Sequence, residues 1–435
     1  MTPLAPPVLS ESARVLCVIC IFLIPWAGAG ISLVNTGLGR SRSAAHAMLT
    51  ALCVMALAAI VTSVCGFAWQ GYLGRPAHTV MISGKPWNWV AGEPLFLRRL
   101  DLDGSPASLA ACFAMLSAGL AAVIPLGAAA DRWRLGAACA SATLLAGCTY
   151  PLFAHWVWAG GWLAQLGVNY GLGRGFMDAG GSGSIQALGG LTALAIAWIL
   201  GARRGKYAPD GSPAAIPGHH AIFVLFGCLV AWAGWLGLNS AGAILFAASA
   251  PGNTILIVVN TTLSASAAAL AVAIFTRLRF GKPDASLTAN GWVGGLAASS
   301  AGCASVVPAA AIMIGMVAGA VVVLAVEALE FWLKVDDPGG AVSVHAVAGL
   351  WGVLALGLFA RVPGAASGQW LAQLVGVATL IGFVLPLTFG LNWLLNRIYP
   401  LRVAVDGERE GMDLYELGAG AYPEFATHSD EFMPR

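Results

Sequence analysis

Charge is scarce in this chain. Asp, Glu, Lys and Arg together make up 10% of its 435 residues, while 58% are hydrophobic. Mean hydropathy is +0.80. A soluble domain covers itself with charged side chains, so this composition excludes one. The net charge of +2 supplies no basic surface for nucleic acid. Histidine is thin as well: seven residues are scattered along the chain, and His219–His220 is the one adjacent pair. The nine cysteines sit mostly inside apolar runs. Cys17 and Cys20 form a CxxC without a second pair or a histidine cluster, which reads as packing rather than a metal or redox site. With no nucleophile–base or metal-ligand constellation, the sequence points to no enzyme and no cofactor. No basic segment precedes the first apolar run, which extends from Ala13 to about Val34. That run therefore reads as a membrane span and not as a cleaved signal.

Long apolar runs are what the chain has in abundance. A bilayer core of about 30 Å takes about 20 apolar residues per helix. Eleven runs qualify: 13–34, 47–69, 107–130, 136–158, 184–202, 219–240, 254–276, 286–304, 308–333, 342–360 and 370–396. The expected fold class is an all-α polytopic membrane protein with eleven transmembrane helices. The 55 glycines fit that class, because small residues let membrane helices approach closely. One set of connecting loops carries thirteen Lys and Arg residues, among them Arg40, Arg132, Arg203 and Arg402. The other set, though longer, carries seven, among them Arg75, Lys85, Arg174 and Arg361. The positive-inside rule then places the N-terminus outside and the C-terminus in the cytoplasm. Residues 1–400 are expected to form the transmembrane domain. Residues 401–435, with Arg409 and Arg435, form a polar cytoplasmic tail too short to be a domain of its own.

Two segments repeat. DAGGSGSIQALGG runs from Asp178 to Gly190, and DPGGAVSVHAVAG from Asp337 to Gly349. Asp, Gly-Gly, Ser, a branched apolar residue, Ala and a final Gly share their offsets. Gln186 and His345 each stand eight residues after their Asp. The first copy opens span 5 and the second opens span 10, which run in opposite directions. That is the pattern of transporters built from inverted repeats, here about 13–202 and 219–360, followed by span 11. Such folds place the substrate path between the repeats, where Gln186 and His345 would meet. A polar side chain at mid-membrane depth is a functional candidate by default; mutual hydrogen bonding as interhelical glue is the plainer alternative.

These residues resemble the ammonium transporter (Amt/Mep/Rh) family. VDDPGGAVSVHAVAGLWGVLALGLFA is similar to the family's span-10 signature. NTTLSASAAAL and RFGKPDASLTANGWVGGLAASSAGCASVVP match around spans 7 and 8, and AHWVWAGGWLAQLG after span 4. AGAGISLVNTGLGRSRSA resembles the span-1 exit, and GEREGMDLYELGAGAY the cytoplasmic tail. The resemblance implies a homotrimer in the bacterial inner membrane, embedded in lipid, with one pathway for ammonium or ammonia in each subunit. It also implies docking of a PII-type signalling protein at the inner face, weakened here by the altered tail residues Leu417 and Ala419.

Carried over position by position, the resemblance assigns Trp158 and Phe113 to an external cation site. Asp178 becomes a structural carboxylate at the outer mouth, Asn239 the Asn after span 6, and His345 the second of two pore histidines. The departures are as informative. Gln186 stands where the first pore histidine belongs. Ser117 and Leu238 stand where two stacked Phe residues gate the pore, and Gly242 replaces a cation-binding Ser. Trp158 and Phe113 would hold ammonium by cation–π attraction. Imidazole both accepts and donates a proton near neutral pH, whereas the Gln186 amide does not titrate. A His–Gln pair can fix geometry but cannot relay a proton through two imidazoles. Replacing both Phe residues would widen the outer constriction unless neighbours fill it. The expected function is transport of ammonium/ammonia, with an ammonium-binding sensor acting through a cytoplasmic partner as the alternative.

Overall fold

The structure is a computed structural model, and it describes residues 8–360 and 368–423. Arg361, Arg435 and the tail beyond residue 423 lie outside the described residues. The chain is mostly helical. Among the described residues, ten helices are long and apolar enough to cross a membrane. They are α1 (Glu11–Leu38), α2 (Ser41–Gln70), α3 (Pro106–Ala128), α4 (Leu135–Trp158), α5 (Ser182–Leu200), α6 (Ala221–Phe246) and α7 (Pro251–Phe280), then, after α8, α9 (Pro308–Trp332), α10 (Ala341–Phe359) and α11 (Gln369–Ile398). The run expected at 286–304 becomes α8, Ala285–Ser299, whose 15 residues stop short of it. Turns occupy the rest of that run, where Gly302 and, just beyond it, Ser305 and Pro308 favour leaving the helix. At the end of α6 the difference is the other way. The apolar run predicts an end at residue 240, and the helix continues for six residues to Phe246.

Helix starts follow capping chemistry. Ser10 accepts from the Ala13 N–H at 3.2 Å, and Asp284 from the Leu287 N–H at 2.7 Å. Ser105 caps α3 just before Pro106, whose missing N–H is harmless at that position. The loop expected between residues 70 and 106 contains a feature outside the all-α expectation. An antiparallel hairpin pairs β1 (Ala77–Ile82) with β2 (Lys85–Ala91). Ser83 and Gly84, both at positive φ, make its two-residue turn.

The hairpin and the tail mark opposite faces. The tail begins by pairing with the α3–α4 turn: Arg134 N–H donates to the Leu401 carbonyl and Val403 N–H to that of Arg132. Its later part lies over the start of α2, where Asp413 accepts from the Ala45 and His46 N–H groups at 3.1 and 2.8 Å. Glu416 bonds His46 Nε2 at 2.9 Å and accepts from the Leu135 N–H at 2.8 Å. Burial alone would raise the Glu416 carboxyl. Those hydrogen bonds and the Arg134 charge more than reverse it, holding the group below the usual carboxylate value. Beneath the tail, buried Arg203 bonds Asp336 at 2.9 Å and Asp131 at 3.2 Å, tying the end of α5 to the approach to α10. Burial would raise Asp336, and Arg203 and Arg132 pull it below its ordinary value instead.

Candidate functional site

The repeated motifs build matching helix starts. Asp178 Oδ2 accepts from the N–H groups of Gly183 and Ser184, at 2.9 and 2.7 Å, and from the Ser184 hydroxyl at 2.9 Å. Asp337 Oδ2 does the same for Val342, Ser343 and the Ser343 hydroxyl, at 3.0, 3.0 and 3.2 Å. In each copy the donors stand five and six residues after the Asp. Both helices then open with a widened turn, Ser182–Ala187 in α5 and Ala341–Val347 in α10. Such π-type segments mark functional sites more often than ordinary helix does. Asp178 lies on the hairpin side and Asp337 beside the tail-side cluster, so the two helices start from opposite faces. They cross closely and reciprocally. A Cβ on Gly190 would lie 2.1 Å from the Ala346 nitrogen, and one on Gly349 2.6 Å from the Ser182 carbonyl oxygen.

At that crossing His345 Nδ1 and Gln186 Oε1 are 2.8 Å apart. Both side chains are buried. With the amide oxygen facing the ring, Nδ1 carries the hydrogen and Nε2 is left as an acceptor. The amide nitrogen of Gln186 is buried and has no partner among the described residues. Leaving such a donor unpaired costs about 1–3 kcal/mol. The pair thus presents a free donor beside a free acceptor, which suits a small molecule able both to accept and to donate hydrogen bonds.

On the hairpin side the remaining expected residues gather around the end of α4. Trp158 donates from its indole N–H to the Asp178 carbonyl at 2.7 Å. Phe113 stands edge-on to it, with ring centroids 5.6 Å apart. Sequence reasoning missed their third member. Phe246 lies flat on Trp158 at 4.6 Å with 9° between the rings, and edge-on to Phe113 at 5.2 Å. An apolar residue in the last turn of an apolar helix looks like core, and only a helix end placed six residues later would have exposed its position. A cavity of about 220 Å³ opens over this cluster, bordered by Trp158, Phe246, Asp178 and Arg174.

Ser117, expected to leave the outer constriction wider, packs against another aromatic residue. Buried Tyr150 places its hydroxyl 2.7 Å from Ser117 Oγ, and Ser117 in turn donates to the Phe113 carbonyl. Leu238 is fully buried in the same apolar core as Phe113 and Tyr150. Gly242 has no room for a side chain, since a Cβ there would lie 2.2 Å from the Ala179 carbonyl oxygen. Asn239 donates to Thr261 at 2.9 Å, while its buried amide oxygen has no partner among the described residues. Among the described residues no group of His, Cys, Asp and Glu is arranged to hold a metal ion.

Membrane-length helices that cross at the buried His345–Gln186 pair, beneath an aromatic mouth, define a polytopic membrane protein. The sequence profile of the Ammonium Transporter Family matches residues 15–422, and the chain belongs to that family. It is 34% identical over 434 residues to "Ammonium transporter Amt2" of Archaeoglobus fulgidus, covering 95% of this chain and 88% of that protein. "Ammonium transporter 1 member 1" of Solanum lycopersicum is 32% identical, with 71% and 68% covered. Among solved structures, one named "Sensor Amt Protein" superimposes with a TM-score of 0.84 at 26% identity, covering 93% of this chain and 98% of that one. The crystal structure of Candida albicans Mep2 shares the fold, with a TM-score of 0.79 at 21% identity over 98% and 93% of the two chains.

Proposed function

We propose that this chain moves ammonium or ammonia, and its analogue methylammonium, along a path lined by Gln186 and His345. The observation that carries the reading is the 2.8 Å contact between these two side chains, at the crossing of two helices that begin alike from opposite faces. Ammonia accepts one hydrogen bond and donates three, which matches the free amide donor and imidazole acceptor. Moving the whole ion through so apolar a core costs several kcal/mol unless polar groups replace its water, so the core admits more readily the neutral ammonia left when the ion gives its proton to water at the mouth. The ion is recruited at Trp158 and Phe113, with Ser117, Leu238 and Gly242 shaping the mouth and Asp178 and Asn239 bracing it. The frame is eleven spans, with Ala285–Ser299 as the eighth, arranged as two inverted repeats (13–202 and 219–360) and a last helix. The N-terminus lies outside the cytoplasmic membrane and the tail 401–435 within the cell, and the chain assembles as a homotrimer. Radiolabelled methylammonium uptake by proteoliposomes tests transport: accumulation above protein-free vesicles is expected, and none would refute it.

A second reading, as a sensor, draws on the likeness to the structure named Sensor Amt Protein and on Gln186 in place of a titrating group. It requires methylammonium binding without uptake, and a cytoplasmic partner. A PII-type protein is the transporter's expected regulator, held weakly because of Leu417 and Ala419. Tight association in a pull-down with the host's PII protein would contradict that weakness.

A further inference from the structure

Phe246 covers one face of the Trp158 indole, the kind of surface a cation would use. A 4.6 Å centroid separation at 9° is face-to-face contact, near the short end of the roughly 4.5–7 Å found for aromatic pairs. No ion fits between rings in contact. Trp158 is 5% exposed, and its indole N–H is committed to the Asp178 carbonyl. Trp158 and Phe246 both border the vestibule, and the stacked Phe246 ring covers one face of the indole. Phe246 ends α6, whose preceding carbonyl, that of Leu245, is held by the Tyr72 hydroxyl at 3.2 Å. The backbone is thus pinned while the ring borders open space, the cavity of about 220 Å³. Gly242, one turn earlier on the same helix, offers no polar side chain that would favour an ion over the ring.

We infer that Phe246 is a lid on the cation face of Trp158, and that it sets the chain's affinity and selectivity for ammonium-type cations. With the lid in place, the vestibule presents a Phe face, a weaker cation platform than Trp. Binding at Trp158 requires the Phe246 ring to swing into the vestibule, so apparent affinity is reduced by the fraction of time the lid is shut. The inference rests on the reading of Trp158 as the cation site, and the test separates the two.

The test is equilibrium binding of radiolabelled methylammonium to the full chain in lipid nanodiscs, without and with competing ammonium. Phe246→Ala is expected to tighten binding by roughly two- to thirtyfold, the range of one cation–π contact. Phe246→Leu, which keeps the apolar bulk and loses the flat ring, should tighten it less; it decides the matter if the alanine variant does not fold. Trp158→Leu should weaken binding in both backgrounds, and Phe246→Ala should give no gain once Trp158→Leu is present. If Phe246→Ala tightens binding as much in the Trp158→Leu background as in the native one, the ring does not act by covering Trp158. The lid is then wrong while the cation site stands. If Trp158→Leu changes nothing in either background, the cation site itself is wrong and the lid falls with it.

Discussion

On the proposed path, Gln186 is the side chain on which the transport chemistry turns. Its amide holds the imidazole of His345 in one tautomer but cannot take or give a proton. If relay between two imidazoles limits proton-coupled movement, Gln186→His should raise ammonium-dependent current on a solid-supported membrane. The exchange keeps size and polarity, so folding should survive; a current no larger than native would count against relay as the limiting step. Some of this site is legible in the sequence alone. A carboxylate capping the helix five residues on must be followed by small residues and a Ser, so Asp178 and Asp337 leave a pattern that can be aligned. Phe246 and Tyr150 leave none. Both are aromatic residues in apolar helices, and what distinguishes them is which groups they touch.

The helices α5 and α10 need one another at a backbone distance that only glycine permits. Gly190→Ala puts a methyl 2.1 Å from the Ala346 nitrogen, a clash with main chain and not with a flexible side chain. Overpacking of this kind costs about 1–3 kcal/mol, so the melting midpoint of the purified protein should fall. Gly382→Ala in α11 is the control, because a Cβ there meets nothing within 4 Å. Equal midpoints for the two variants would contradict the close crossing. Helix existence is readable from apolar length, whereas helix ends are not. The shortfall of α8 follows the turn-forming residues from Gly302 to Pro308, and the overrun of α6 packs its last turn against Trp158 and Phe113. The β1–β2 hairpin does carry a signal, the Ser83-Gly84 pair between two short strands, but it is a faint one beside the long apolar runs.

The tail closes one face of the molecule, and its hold should depend on pH. Glu416 sits below the usual carboxylate value when docked, so its contribution is complete at neutral pH. That contribution is lost as pH falls through the depressed value and the carboxylate is protonated. A cysteine replacing buried Met412 reports docking. Normalised to an exposed cysteine, its labelling should be slow at pH 7, and faster in strong acid or in a Glu416→Gln background. Equal labelling with and without Glu416→Gln at pH 7 would mean that Glu416 does not hold the tail. Orientation is tested in the same way: an impermeant thiol reagent applied to intact cells should reach a cysteine in the hairpin and miss one in the tail. The most direct test of a path through the α5–α10 crossing is methylammonium uptake into proteoliposomes by the native chain, His345→Ala and Gln186→Ala. The account predicts that both substitutions lower uptake, each removing half of the donor–acceptor pair. Unchanged uptake in both would show that the path lies elsewhere and that the two side chains only join the helices.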